Sequence, residues 1–325
     1  MKLFLTKIEK DDIETISDVL ADGTLGFGPN VIEFENKFVS FSKKDYNVAC
    51  NSASAAAFMI FAYLKEEYGT CDVYTTSLGF TSPAWSAKHF GHNLIFVDVQ
   101  EDLQFSAEHY KKIRRISDNK VVVMPVLYGG VSKIDNFSLF GDEIVVIDSA
   151  HCVTPQIDND FIFFSFHTYK PICSSDGGMI STDVKKASDF FKNYRNFGRV
   201  SGNMTYDIRS DGFKFYMNNL NATIALTQLD RYPNNLEIRK NNYEKLSKEY
   251  KLLPHDKNSS YYFATTIIDD ADKMIERTNL IRNYPMLHKM QYYDSNQHLP
   301  VLERLHKKIF NIPLWDLECF RALMK

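Results

Sequence analysis

Short segments that are apolar at nearly every position recur along this chain of 325 residues, and segments with helical spacing separate them. The clearest are residues 120–127 (KVVVMPVL), 145–147 (VVI) and 161–164 (FIFF). A strand that is apolar on both sides must be covered on both faces, as in a parallel sheet with helices on either side. The sequence therefore predicts an α/β fold with a mostly parallel sheet sandwiched by helices.

Four residues stand at the carboxyl ends of predicted strands. They are Asn51, Phe80, Tyr128 and Asp148. Ligands of open α/β sheets bind in the crevice outside the carboxyl ends of the strands. We therefore expect these four residues to converge on one crevice.

An acid and a lysine follow two successive predicted strands. Asp148 ends the strand that includes Val145, and Lys170 follows the apolar run 161–166. Pyridoxal phosphate (PLP) requires such a pair, because an amine can bond to its aldehyde and a carboxylate can keep its ring nitrogen protonated. The alternatives are an acid that caps a neighbouring helix or turn and a lysine that is solvated in a loop.

A turn of small residues, Asn51-Ser52-Ala53-Ser54, lies between the predicted strand 46–50 and a helix that runs to Lys65. Such a turn aims free backbone N–H groups and the positive end of the helix dipole at an anion. Ser52 and Ser54 are therefore candidates for binding a phosphate oxygen. The alternative is that they serve only as N-caps of the helix.

The second part of the chain reads as a smaller α+β domain. Residues 219–229 have helical spacing, and Pro233 permits a kink before the helix continues over 236–250. An alternating strand over 261–269 and a helix over 271–277 follow. We expect a large cofactor-binding domain over residues 1–230 and a small C-terminal domain over 231–325.

Composition argues against several classes of protein. A net charge of −3 gives no electrostatic reason to bind nucleic acid or an anionic membrane. The most hydrophobic run, residues 55–64, has about half the length that a membrane span requires. The five cysteines are scattered and form no metal-binding spacing, so we expect no metal site and a cytoplasmic protein.

Motifs from one end of the chain to the other resemble those of the DegT/StrS-type nucleotide-sugar aminotransferases, PLP enzymes of the aspartate aminotransferase fold (fold type I). The resemblance lies in Gly26-Phe27-Gly28-Pro29, in the turn 51–56, in Asp148-Ser149-Ala150-His151, in Ser165 to Lys170 with Gly177-Gly178, in Asn196-Phe197-Gly198-Arg199, in 212–219, in Tyr284-Pro285 with His288, and in Pro300 to Arg304. It covers nearly the whole chain in the order of the family.

The resemblance implies a role for each matching residue. Lys170 and Asp148 are the catalytic residues: Lys170 would hold the cofactor and move the proton, and Asp148 would pair with the pyridinium. The other cofactor-binding residues would be Ala53, Ser54 and Ser165 at the phosphate, Phe80 stacked on the ring, His151 near the ring hydroxyl, and Lys214 and Asn219 in a loop that reaches the partner's site. Contacts to the substrate would come from Phe27, Arg199, Tyr284 and His288.

The reaction that the resemblance implies is transfer of an amino group from glutamate to a keto group of a nucleotide-linked deoxy-sugar, by a homodimer with shared active sites. A cyclitol aminotransferase and a catalytically silent binding or regulatory homologue are alternatives. A PLP-dependent sugar dehydratase is another, but those relatives carry histidine in place of the lysine. The sequence departs from the family pattern at Ala53, at Ser54, at Ser175-Asp176 and in the loop around Lys214.

Overall fold

The structure is a computed structural model. It describes residues 7–132, 137, 139–154, 158–200, 207–280 and 284–324. Residues 134–139, which the sequence favours as a short connector between two strands, lie largely outside these residues. No helix among the described residues is long and apolar enough to cross a membrane.

Ten α-helices and nine strands occur in the described residues. The helices are α1 (Lys10–Asp22), α2 (Pro29–Ser42), α3 (Ala53–Tyr68), α4 (Thr81–His89), α5 (Ala107–Ile113), α6 (Lys185–Tyr194), α7 (Asn219–Leu246), α8 (Ala271–Thr278), α9 (Pro300–Leu305) and α10 (Leu317–Met324). The strands are β1 (Tyr46–Cys50), β2 (Cys71–Thr76), β3 (Asn93–Val97), β4 (Lys120–Met124), β5 (Ile144–Asp148), β6 (Phe161–Ser165), β7 (Gly178–Thr182), β8 (Phe263–Ile267) and β9 (Ile309–Pro313).

Seven strands form one sheet in the order β1-β7-β6-β5-β4-β2-β3. Strands β6, β5, β4, β2 and β3 run parallel to one another, and β7 is antiparallel to both β1 and β6. The α/β fold with a mostly parallel sheet that the sequence predicts is confirmed.

The sheet is buried on both faces, as strand β4 shows. Its residues Val121 and Val123 pack in a core with residues of α2 and α7, whereas Val122 and Met124 pack in a second core with residues of α3 and α6. Successive side chains of a strand point to opposite faces, so a strand between two layers of helices must be apolar at every position. The unbroken apolar run in the sequence has this cause.

Some predicted elements end earlier in the structure. The strand predicted over 120–127 ends at Met124, because Pro125 has no N–H group to continue the ladder. Residues 106–116 have the spacing of a basic amphipathic helix, but the helix in this segment ends at Ile113. Helix α7, in contrast, is continuous from Asn219 to Leu246 and contains Pro233 in its interior.

A second, antiparallel sheet of β8 and β9 packs with α8 and α10 around a separate apolar core. The sequence predicts β8 and α8, but not β9. The boundary at residue 230 stays a prediction, and it falls within α7. Backbone hydrogen bonds join this part of the chain to the turn that follows β4, since the N–H of Tyr262 donates to the carbonyl of Gly129 at 3.1 Å.

Candidate active site

A cavity of about 460 Å³ opens at the carboxyl ends of the parallel strands β4 and β5. This volume is within the range of small-molecule sites. Nine of the residues predicted from the sequence line it: Ser52, Ala53, Ser54, Phe80, Asp148, His151, Ser165, Lys170 and Tyr284. They come from loops and strand ends that are far apart in the sequence and that the sheet brings to one edge.

The turn between β1 and α3 forms one wall of the cavity. The hydroxyl of Ser52 accepts a hydrogen bond from the N–H of Ala55 at 3.1 Å, so Ser52 is the N-cap of α3. The hydroxyl of Ser54 donates to that of Ser82 at 2.9 Å, and both residues line the cavity. The turn packs tightly on β7, because a Cβ atom on Gly178 would collide with the backbone of Ser52 and Ala53.

Asp148 ends β5 with its side chain buried. Its Oδ1 atom accepts a hydrogen bond from the N–H of Ala150 at 3.0 Å. Burial raises the pKa of Asp148, whereas this hydrogen bond and the charge of Lys170 lower it. The carboxylate is thus held in an apolar setting where a cationic group would stabilise it.

Lys170 lies in the loop between β6 and β7. The backbone N–H of Lys170 donates to the carbonyl of His167 at 2.8 Å. The loop is closed by two more backbone hydrogen bonds: the N–H of Phe166 donates to the carbonyl of Gly177 at 2.9 Å, and the N–H of Ser174 donates to the carbonyl of Phe166 at 2.8 Å. Burial lowers the pKa of Lys170, and Asp148 raises it. An amine with a lowered pKa can take up and return a proton near neutral pH.

Aromatic rings form the wall opposite the turn. We call His151, Tyr262 and Tyr284 the pocket ring cluster: the His151 ring lies 4.3 Å from that of Tyr262 and 5.6 Å from that of Tyr284. The Nε2 atom of His151 is hydrogen-bonded to the Tyr284 hydroxyl at 2.9 Å. Burial lowers the pKa of His151 well below its usual value, so the ring is neutral. Phe80 is 55% exposed and its ring lies 6.2 Å from that of Tyr284.

Several lining residues were not predicted as site residues. They are Ser82, Pro83, Val126, Ala150, Phe163, His167, Tyr169, Asp176, Gly177 and Tyr262. Asp176 stands out in the sequence as a departure from the family pattern. Tyr262 has no such signal, because it follows Lys170 by many residues and reaches the cavity only through the contact of residues 259–262 with Gly129 and Gly130.

Three predicted residues lie together outside the cavity. Asn219 is buried, and its side-chain oxygen accepts a hydrogen bond from the N–H of Asn30 at 2.9 Å. The Phe27 ring lies 5.0 Å from the Arg195 guanidinium, and Lys214 is exposed with its Nζ atom 5.6 Å from the Tyr216 ring. A backbone hydrogen bond places this group next to the turn between β1 and α3, because the N–H of Asn51 donates to the carbonyl of Phe215 at 2.7 Å.

The remaining predicted residues also lie away from the cavity wall. His288 is buried, and its ring nitrogens are hydrogen-bonded to Ser77 (2.7 Å) and Glu303 (3.1 Å). Arg199 pairs through its backbone with Ile208. Tyr128, which was expected in the crevice, is instead buried under the second sheet, where its hydroxyl accepts a hydrogen bond from the side chain of Asn311 at 2.9 Å.

The residues of the cavity fit PLP. A buried carboxylate, a partly buried lysine, a helix N-terminus and the hydroxyls of Ser54 and Ser165 are the groups that the ring nitrogen, the aldehyde and the phosphate of this cofactor require. In the described part of the chain, the buried Nδ1 atom of His151 has no hydrogen-bond partner. A bound ligand would satisfy such a group, since buried polar atoms are rarely left unpaired.

The fold and the site together define a protein of the α/β class that binds its ligand at the ends of parallel strands, against a lysine and an acid. Residues 6–318 match the DegT/DnrJ/EryC1/StrS aminotransferase family, so the chain belongs to that family. The family predicted from the sequence is confirmed.

Two characterised proteins illustrate the similarity. The spore coat polysaccharide biosynthesis protein SpsC of Bacillus subtilis is 29% identical over 252 residues, which are 70% of this chain. The match spans 63% of SpsC, less than two thirds of its length. The UDP-4-amino-4,6-dideoxy-N-acetyl-beta-L-altrosamine transaminase of Campylobacter jejuni (serotype O:2) is 24% identical over 332 residues, which are 98% of this chain and 85% of that protein.

Solved structures have the same fold. Helicobacter pylori PseC, an aminotransferase involved in the biosynthesis of pseudoaminic acid, matches with a TM-score of 0.89 and 19% identity, over 99% of this chain and 96% of PseC. The PLP form of Spr1654 from Streptococcus pneumoniae, named as a putative sugar aminotransferase, matches with a TM-score of 0.86 and 21% identity, over 99% of this chain and 96% of the other.

Proposed function

We propose that this protein is a PLP-dependent aminotransferase that transfers the amino group of glutamate to a keto group of a nucleotide-linked deoxy-sugar. The observation that carries the proposal is that Lys170 and Asp148 line one cavity together with the turn 51–54 between β1 and α3, which we call the phosphate turn. Support for a sugar as acceptor comes from the relatives, because the Campylobacter protein is named for a UDP-linked amino sugar.

The residues of this chain would hold the cofactor at three places. Ala53, Ser54 and Ser165 would bind the phosphate at the N-terminus of α3, where backbone N–H groups are free. Asp148 would face the ring nitrogen. His151 would donate to or accept from the ring hydroxyl, and Phe80 would cover the ring from the open side.

When bound, PLP supplies an electron-accepting ring that stabilises negative charge at the carbon from which a proton is removed. Lys170 moves that proton: its lowered pKa leaves part of the amine neutral near pH 7, and the Nζ atom takes the proton up and returns it. Asp148 supplies a negative charge that a protonated ring nitrogen requires. The pocket ring cluster limits the access of water on one side of the cavity.

Glutamate as donor and a homodimer with shared sites are part of the proposal. Lys214 is exposed outside the cavity of its own chain, next to the phosphate turn, which favours a role at the site of a partner subunit. Asn219 is buried within its own chain and would act there by holding the loop that carries Lys214. Phe27, Arg199, Tyr284 and His288 would contact substrate directly or through neighbouring residues. We also place the protein in the cytoplasm, where nucleotide-linked sugars are available. Lys170 argues against the dehydratase alternative, which requires histidine there.

The test begins with the purified full chain and PLP. We expect a yellow protein whose visible spectrum changes on addition of glutamate, with release of 2-oxoglutarate. Lys170→Ala should lower turnover by roughly 10²- to 10⁴-fold, the usual contribution of a general acid–base group. Lys185→Ala is the matched control, because Lys185 is an exposed residue of α6 that pairs with Asp189.

Candidate acceptors are then compared by mass spectrometry of the product. An amino sugar formed from a nucleotide-linked keto-sugar supports the proposal. If only a keto-cyclitol is aminated, the result would support an aminotransferase reaction but would reject a nucleotide-linked sugar as the acceptor. A protein that stays colourless with added PLP would reject the enzyme and favour a silent homologue.

A further inference from the structure

Tyr262 is fixed in the wall of the cavity by contacts between the two parts of the chain. Its N–H donates to the carbonyl of Gly129 at 3.1 Å, and the N–H of Ser260 donates to the carbonyl of Gly130 at 2.7 Å. Gly130 has a positive φ of +79°, and a Cβ atom there would lie 2.9 Å from the Tyr262 Cβ atom. The backbone of Tyr262 thus has little freedom to move.

The ring of Tyr262 has the Lys170 ammonium group over its face. The Nζ atom lies 5.0 Å from the ring centroid. The ring also packs against His151, whose ring centroid is 4.3 Å away with an interplanar angle of 35°, and against Phe263 at 5.1 Å. A cation within about 6 Å of an aromatic face is attracted by the ring quadrupole, more strongly where water is excluded.

We propose that Tyr262 is a positioning residue for Lys170: its ring face holds the ammonium group in the cavity and stabilises the protonated amine. This inference rests on the proposed function, in which Lys170 moves a proton. The protonated amine of Lys170 requires a neighbour that stabilises its charge without accepting its proton. The face of an aromatic ring does this, because it attracts a cation but has no basic atom. An acid in the same place would hold the amine protonated more firmly.

Other groups around Lys170 act in different directions. Asp148 raises the pKa of the Lys170 amine, and burial lowers it. Burial and the charge of Lys170 both lower the pKa of His151, so that this histidine contributes no positive charge. His167, Tyr169, Asp176 and Tyr284 line the same cavity. The face of Tyr262 adds to the stabilisation by Asp148 without adding a charge.

The test measures the pKa of Lys170 in the full chain freed of PLP, from the pH dependence of acylation of that amine, with the labelled peptide quantified by mass spectrometry. Tyr262→Leu keeps an apolar side chain but removes the ring face. We expect its Lys170 pKa to fall by about half a unit to one unit, the range of a partly buried cation–π contact. Tyr262→Phe should leave the pKa close to that of the unchanged protein.

The matched control is Tyr261→Leu, the same substitution at the adjacent residue, whose ring packs on His255 in the core of the second sheet. It should leave the pKa of Lys170 unchanged. If Tyr262→Leu does not fold, as judged by circular dichroism, pentafluorophenylalanine at position 262 replaces it. Fluorination reverses the ring quadrupole at nearly the same shape, so the pKa should fall at least as far.

An unchanged or raised pKa in the ring-free or fluorinated variant would overturn the inference, and so would an equal fall in Tyr261→Leu. The labelling uses neither substrate nor turnover. A failed aminotransferase assay with a lowered pKa would therefore reject the proposed function alone, and an active enzyme with an unchanged pKa would reject the role of Tyr262 alone.

Discussion

Two regions of the molecule contain a histidine packed between two tyrosine rings. One is the pocket ring cluster of Tyr262, His151 and Tyr284. The other, which we call the core ring cluster, consists of Tyr243, His255 and Tyr261: the His255 ring lies 4.9 Å from that of Tyr243 and 4.8 Å from that of Tyr261. Within the described residues, the buried Nδ1 atoms of both histidines have no hydrogen-bond partner.

The two clusters differ in what lies beside them. The pocket ring cluster borders a cavity and an amine, whereas the core ring cluster packs on the apolar core of the second sheet. Tyr261 and Tyr262 are consecutive residues, and their rings belong to opposite clusters. The same residue types therefore pack in an apolar core in one place and border a cavity in the other, and we expect only the second cluster to affect ligand binding.

Replacing each histidine by phenylalanine tests this difference. Among the comparisons of the two clusters, it gives the largest expected effect on ligand binding. His151→Phe removes a hydrogen-bonding group that would face the cofactor. We expect the dissociation constant for PLP to rise by roughly 10- to 150-fold, because a hydrogen bond to a charged group contributes about 1.5–3 kcal/mol. Equilibrium titration of the protein with PLP, followed in the visible spectrum, measures the change.

His255→Phe is the control for that experiment, since it keeps a ring of similar size in the core ring cluster. Affinity for PLP should stay within a factor of two of that of the unchanged protein. An equal loss of affinity in both variants would show that the clusters do not differ in function.

The stability of the cofactor-free protein should depend on pH through His255. Burial lowers the pKa of His255 to about 4, against the opposing effect of a backbone hydrogen bond with Phe263. A histidine with a lowered folded-state pKa contributes stability that is present above its unfolded pKa of about 6.5 and is lost as the pH falls toward the folded value. From pH 7.5 to 5, the free energy of unfolding should fall by about 2 kcal/mol from this residue alone.

Urea unfolding of the cofactor-free chain at several pH values measures this loss. Because His151 also has a lowered pKa, the contribution of His255 is the difference between the unchanged protein and His255→Phe. Between pH 7.5 and 5, the free energy of unfolding of His255→Phe should fall by about 2 kcal/mol less than that of the unchanged protein. Identical slopes for both proteins would exclude His255 as the source.

The fold could be predicted from the sequence where burial on both faces leaves an unbroken apolar pattern, as in β4, β5 and β6. Strand β9 was missed, because Ile309–Pro313 is short, ends in proline and follows a helical turn directly. The end of β4 at Met124 depends on Pro125, which interrupts an apolar run that otherwise continues to Leu127. Local patterns thus predict the interior of an element better than its ends.

The residues that line the cavity could be predicted where they end a strand, as Asp148 does, or follow one closely, as Lys170 does in the loop after β6. Tyr262 could not, because it enters the cavity through tertiary contacts with Gly129 and Gly130, which leave no local pattern. His288 shows the reverse case: a residue matched to a motif is engaged by Ser77 and Glu303 away from the cavity wall. The roles of the predicted residues stay predictions until variants are measured.

The smallest expected effect concerns one hydroxyl in each cluster. The Tyr284 hydroxyl is hydrogen-bonded to His151 at 2.9 Å, and the Tyr261 hydroxyl donates to the carbonyl of Asp256 at 3.1 Å. Tyr284→Phe should weaken PLP binding by about fivefold, because one hydrogen bond contributes about 1 kcal/mol and the freed Nε2 atom lets the His151 ring rotate. Tyr261→Phe should instead lower the free energy of unfolding by about 1 kcal/mol and leave PLP affinity unchanged. Titration and urea unfolding of both variants separate the two effects, and a shared loss of affinity would mean that the segment carrying Tyr261 and Tyr262 couples the two clusters.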